Sequence, residues 1–92
     1  MATPESKVKT EIRKFLTAHG IYWCNIQNGP GAKPGDPDLV LCLNGRFIGV
    51  EAKSPTGSLR PLQKVRMQEI EHSGGMYLVV HSLEELRIFL GL

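Results

Sequence analysis

At 92 residues the chain has room for one domain with a modest core, but not for a second lobe or a large substrate-enclosing cleft. With 41% apolar and 22% charged residues, no apolar run near the roughly 18–20 residues of a membrane span, and a polar stretch at Met1–Thr10, the composition is that of a soluble globular protein with neither span nor signal peptide. The formal charge of +2 is unevenly spread: residues 1–66 hold ten Lys or Arg against five Asp or Glu, and residues 67–92 hold one against four.

Thr3-Pro4-Glu5 reads as a helix start, with a hydroxyl cap, Pro at the first helical position and an acid in the first turn. The helix is predicted to run to about His19 and to stop at Gly20. Its apolar stripe is Val8, Ile12, Phe15 and Leu16, which Glu5 continues one step toward the N-terminus and Glu11 flanks. Lys7, Lys9, Arg13 and Lys14 make this helix basic, which fits either attraction to phosphate or a plain solvated face. Ile21–Gln27 is β-branched and aromatic and reads as a first strand. Asn28–Pro37 (NGPGAKPGDP) follows as an irregular loop carrying Lys33, whose amides could approach a phosphodiester.

Gly35–Lys53 (GDPDLVLCLNGRFIGVEAK) is the stretch around which the rest is organised. Two apolar runs, Leu39–Leu43 and Phe47–Ala52, flank Asn44-Gly45, the dipeptide that best tolerates the two positive φ angles of a type I′ turn. In that hairpin Leu43 pairs with Arg46, and counting back brings Asp38 opposite Glu51 with Cβ atoms roughly 4.5–5.5 Å apart. Alternation then puts Glu51 and Lys53 on one face and Ile48, Val50 and Ala52 on the other.

Two carboxylates this close repel unless a proton or a cation lies between them. Their oxygens on a rigid strand pair suit Mg²⁺ or Mn²⁺ better than zinc. An ammonium beside such a site is useful for phosphate chemistry, since it can orient or deprotonate an attacking water and stabilise charge on phosphorus oxygens. Asp36, two residues before Asp38, reads as a loop acid beside Pro37, the alternative being that it competes for the metal or binds a second ion.

After Lys53, Ser54–Arg60 is turn-rich, and Pro61 restarts a helix to about His72 before Gly74-Gly75, with Leu62, Val65, Met67 and Ile70 predicted to pack inward. Met76–His81 reads as a buried fourth strand. Ser82-x-x-Glu85 is a capping box opening a last helix, whose Leu83, Leu86, Phe89 and Leu90 would cover the sheet or a partner. Cys24 and Cys42 sit apart in apolar segments, with no ligand-spaced Cys/His set, so they read as core thiols of a reduced, cytoplasmic protein rather than zinc ligands. The order helix, three strands, helix, strand, helix predicts an α/β fold, a mixed sheet flanked by helices.

Pro37-Asp38 followed after a hairpin by Glu51-Ala52-Lys53 resembles the PD-(D/E)xK nuclease signature, and Gly35-Asp36-Pro37-Asp38-Leu39 with Gln63 at the next helix start resembles the virus-type replication-repair nuclease domain, VRR-NUC. The resemblance covers nearly the whole chain and implies the restriction-endonuclease-like αβββαβ core with a C-terminal helix added. By residue, it implies that Asp38, Glu51 and the Ala52 carbonyl hold Mg²⁺ or Mn²⁺, that Lys53 positions or activates water, and that Gln63 supports Lys53. A helix-one Glu joins the metal site, often through water: Glu5 matches by its place in E-x-x-V-x-x-x-I, and Glu11 is the rival.

These readings lead to a metal-dependent DNA endonuclease without a small-molecule cofactor, with Lys33, Arg60 and Lys64 as candidate DNA contacts. The resemblance to stand-alone viral members implies a homodimer acting on four-way (Holliday) junctions, inside a virus-infected host. The alternatives are a flap or restriction-like nuclease of the same fold, a catalytically silent DNA-binding module, and a plain interaction domain.

Overall fold

A computed structural model describes residues 3–27 and 29–92. Asn28, where the predicted Gly/Pro loop begins, lies outside the described residues. Helix α1 spans Pro4–Ala18: the Thr3 hydroxyl accepts from the Ser6 amide at 3.1 Å, Pro4 occupies the first turn, and the chain leaves the helix through His19 and Gly20, the latter at φ 67°. Strands β1 (Tyr22–Asn25), β2 (Leu39–Leu43) and β3 (Arg46–Ala52) form an antiparallel meander. Helix α2 (Pro61–His72) then crosses over to β4 (Met76–Val80), which runs parallel to β3, and α3 (Leu83–Leu90) follows. The sheet order is β1-β2-β3-β4, a mixed sheet as predicted.

Leu43 pairs with Arg46, so the hairpin loop is Asn44-Gly45 alone, with φ of 53° and 78°. That turn sets the register of every residue in β2 against β3. One face of the sheet carries the apolar core: Leu39, Leu41, Ile48, Val50, Leu78 and Val80 pack against Ile12 and Leu16 of α1 and Leu86 of α3. The opposite face of β3, with Phe47, Gly49 and Glu51, looks toward α2.

Several expectations are corrected. Strand β1 is shorter than Ile21–Gln27, because the chain turns after Asn25, although the Ile26 amide still donates to the Asp38 carbonyl at 3.3 Å; β4 likewise stops at Val80. In α2, Leu62 and Val65 are 52% and 42% exposed. With Pro61 as the first residue of the helix, the inward stripe is Gln63, Met67 and Ile70 at 4-3 spacing, which turns Leu62 and Val65 outward. Phe89 is also exposed; α3 packs through Leu83, Leu86 and Leu90. Cys42 is exposed and Cys24 half-buried rather than both lying in the core, since both fall outside the apolar cluster. The capping box is shifted by one residue. Ser82 Oγ accepts from the Glu85 amide, but the Glu85 carboxylate reaches back to the amide of His81.

Candidate active site

Asp38 is placed by the loop before it. Gly35 adopts φ 89° directly beneath the first turn of α2, where a Cβ would stand 2.5 Å from the Leu62 carbonyl oxygen, so only glycine suits both its conformation and its space. Pro37 is fully buried and lies flat on β3 at Gly49. Tyr77 of β4, 3% exposed, supports the same loop by donating its hydroxyl to the Gly35 carbonyl at 3.4 Å. Burial, and then the charges of Glu51, Asp38 and Asp36, push that phenol well above its usual range, so it stays a donor. Asp38 emerges at the strand end, buried, with Oδ2 accepting from the Ala52 amide at 2.9 Å.

Leu39 pairs with Val50, and one further step of that register sets Asp38 opposite Glu51. Glu51 is 4% exposed. Its Oε2 accepts from Gln63 Nε2 at 3.0 Å and stands 3.4 Å from the Lys53 ammonium, whereas its Oε1 is buried with no hydrogen-bond partner. Burial, and then the Asp38 charge, raise the Glu51 pKa to about 7 against the opposing pull of Lys53 and Gln63. The Gln63 amide has one orientation available: its Oε1 accepts from the Arg60 amide at 2.9 Å, so its NH₂ group must face the carboxylate. Gln63 therefore acts on Glu51 directly, and the position at the third residue of α2 is what buries it.

The unsatisfied Glu51 oxygen tests whether a metal ion fits. A buried carboxylate oxygen without a donor, beside a second carboxylate, is satisfied by a proton or by a cation, and of the cations hard oxygen donors suit Mg²⁺ or Mn²⁺. Among the described residues no three His, Cys, Asp or Glu side chains gather in one cluster, so the protein's share would be two carboxylates with main-chain oxygen and water completing the shell.

The structure gathers Asp38, Glu51, Ala52, Lys53 and Gln63 at one strand end. It does not bring Glu5 or Glu11 there: both are exposed and make no ion pair among the described residues. The helix-one residue at the site is Lys9, whose Nζ lies 3.8 Å from Asp38 Oδ1. Position 9 precedes Ile12 by three and Leu16 by seven, so it belongs to the buried stripe itself, a spacing visible in the sequence. Asp36 turns away from the pair: it accepts from the Lys33 amide at 2.7 Å and faces Arg66 at 4.0 Å. Lys33, Arg60 and Lys64 are exposed, Lys33 on the loop before Asp38 and the other two at the start of α2.

No protein-family model and no curated protein sequence matches the chain. Among solved structures, one described as a VRR_NUC domain is 24% identical, with 98% of this chain and 97% of that chain covered and a TM-score of 0.81. A second, described as a VRR_NUC domain protein, is 18% identical over 99% of this chain and 88% of its own, with a TM-score of 0.76. Across nearly its whole length this chain has the fold of the VRR_NUC domain structures.

Proposed function

We propose that the protein is a metal-dependent endonuclease of the PD-(D/E)xK type that hydrolyses DNA phosphodiesters, with four-way junctions as its preferred substrate. The observation that carries this reading is the Glu51 carboxylate: buried, opposite Asp38, with one oxygen unpartnered and the other between Lys53 and Gln63. A structural acid would be satisfied on both oxygens or exposed. The likeness to VRR_NUC structures supports the same chemistry.

Asp38, Glu51 and the Ala52 carbonyl would hold Mg²⁺ or Mn²⁺, and water would complete the shell. Bound there, the ion supplies Lewis acidity at the scissile phosphate and favours ionisation of water. The Lys53 ammonium, 3.4 Å from Glu51 and itself buried, orients the attacking water and stabilises the negative charge that develops on the phosphorus oxygens. Gln63, anchored through Arg60, holds Oε2 of the Glu51 carboxylate and leaves Oε1 free for the ion. Asp38 is held in turn by the Ala52 amide, which leaves Oδ1 for the ion.

A junction needs two nicks related by near two-fold symmetry, and one domain of this size supplies one centre. A homodimer supplies both. Exposed Ile88, Phe89 and Leu92 on and after α3, with Tyr22 on β1, are the apolar material for such an interface. Lys33, Arg60 and Lys64 would contact the DNA backbone.

The test is cleavage of matched four-way junction, flap and linear duplex DNA, with and without Mg²⁺. Metal-dependent symmetric nicking of the junction supports the proposal. Cutting of flaps or linear duplex alone would make it a nuclease of a different substrate class, and binding without cutting in any metal would make it a silent DNA-binding module.

A further inference from the structure

Two ammonium groups meet the carboxylate pair, and the reading above uses only one of them. Lys53 comes along β3; Lys9 comes from α1, on the other face of the sheet, and stands 3.8 Å from Asp38 Oδ1. The stem of Lys9 starts on the stripe that carries fully buried Ile12 and Leu16, and its side chain is 26% exposed, so the methylenes are packed while the ammonium reaches the strand end beside solvent. Asp38 Oδ2 is taken by the Ala52 amide. The oxygen that Lys9 faces is thus the one left for a metal ion.

An ammonium and a divalent cation at one carboxylate oxygen repel each other, so Lys9 and the ion compete for Oδ1. A displaced Lys9 ammonium is still tethered by its packed stem within one side-chain length of the site. A DNA phosphate oxygen is the acceptor that such a site would bring near. We propose that Lys9 is a phosphate-binding residue that neutralises Asp38 in the metal-free protein and transfers its ammonium to the DNA backbone beside the scissile bond once a divalent ion is bound. This rests on the nuclease reading and adds to it a residue that couples metal entry to substrate grip.

The competition predicts effects of opposite sign on two ligands. In Lys9→Gln, which keeps the length of the stem and loses the charge, Mn²⁺ binding measured by calorimetry without DNA should tighten by about 3–10-fold, because the competing cation is gone. In Ca²⁺, junction DNA should bind about tenfold more weakly, and the slope of log affinity against log salt should shrink by about one. Lys9→Arg should restore the salt slope. Unchanged or weaker Mn²⁺ binding in Lys9→Gln, or unchanged DNA binding, overturns the assignment while a wild-type protein that still cuts DNA keeps the nuclease reading. Wild-type protein that neither binds Mn²⁺ nor cuts DNA overturns both.

Discussion

Pro37 and Gly49 fit one another: a Cβ on Gly49 would stand 2.7 Å from Pro37 Cγ and 3.2 Å from its Cβ. The proline ring is a fixed object and Asp38 is the next residue, so the empty space at Gly49 decides where the first carboxylate sits. Gly49→Ala should force Pro37 away and cost about 1–3 kcal/mol of stability, as overpacking does. Chemical denaturation measures it, and cleavage should fall by more than the loss of folded protein explains. A variant of wild-type stability and activity would mean that Pro37 is not seated as described.

Removing the reacting groups should leave the fold alone, because none belongs to the apolar cluster. Asp38→Asn and Lys53→Ala are each expected to lose on the order of 10²–10³-fold or more in cleavage rate, the usual loss for a group that meets developing charge or holds what does. Wild-type cutting by Lys53→Ala with Mg²⁺ would sink the proposed role of the ammonium.

Glu51 makes metal-free stability depend on pH. Its folded pKa of about 7 lies above the ordinary 4.5, so folding favours the protonated acid. The penalty for ionising it is absent below about pH 4.5, grows as pH rises toward 7, and above that is complete, on the order of 3 kcal/mol. Denaturation curves of metal-free protein at pH 5 and pH 8 should show this fall, and Glu51→Gln should flatten it. Mg²⁺ or Mn²⁺ should raise the melting temperature more at pH 8 than at pH 5, and less in Asp38→Asn. Equal gains in Asp38→Asn and wild type would place the ion elsewhere.

His81 has the opposite sign. Its Nδ1 faces Glu85 at 2.9 Å and its Nε2 faces the Gly57 carbonyl at 3.1 Å, two acceptors that only the doubly protonated ring can satisfy together. The Glu85 bond, and then the Gly57 bond, raise the His81 pKa above its ordinary 6.5, so this stabilisation is complete below about pH 6.5 and is lost as pH rises through the folded pKa. Glu85, lowered from 4.5 by the same bond, loses its share as pH falls through its own folded pKa. Proton NMR of the imidazole should titrate above 6.5 in wild type and drop toward it in Glu85→Gln. No difference between the two would mean the pair does not form in solution.

The proposed dimer would rest on exposed apolar side chains. Ile88 is 78% exposed and Phe89 58%. Ile88→Glu should turn a dimer into a monomer in sedimentation without lowering the melting temperature at low protein concentration, because no buried contact is lost. A wild-type monomer at micromolar concentration would remove the dimer from the proposal.

The hairpin was legible in the sequence because its determinants are local. Asn44-Gly45 sets the turn, the period of two along each strand sets the faces, and the register that follows places Asp38 opposite Glu51 without reference to the rest of the chain. Pro61 and Gly74 likewise bounded α2 at Pro61–His72. What the sequence left open was which residue of each helix meets that hairpin. Successive helical residues are about 100° apart, so an offset of one residue changes which side chain points inward, and only the docking of α1 and α2 onto opposite faces of the sheet fixed it. That docking buried Gln63 and exposed Leu62, and it put Lys9, not Glu5, beside Asp38. It also removed water from Glu51 without supplying a donor to Oε1, a burial that no local pattern encodes and from which the raised pKa follows.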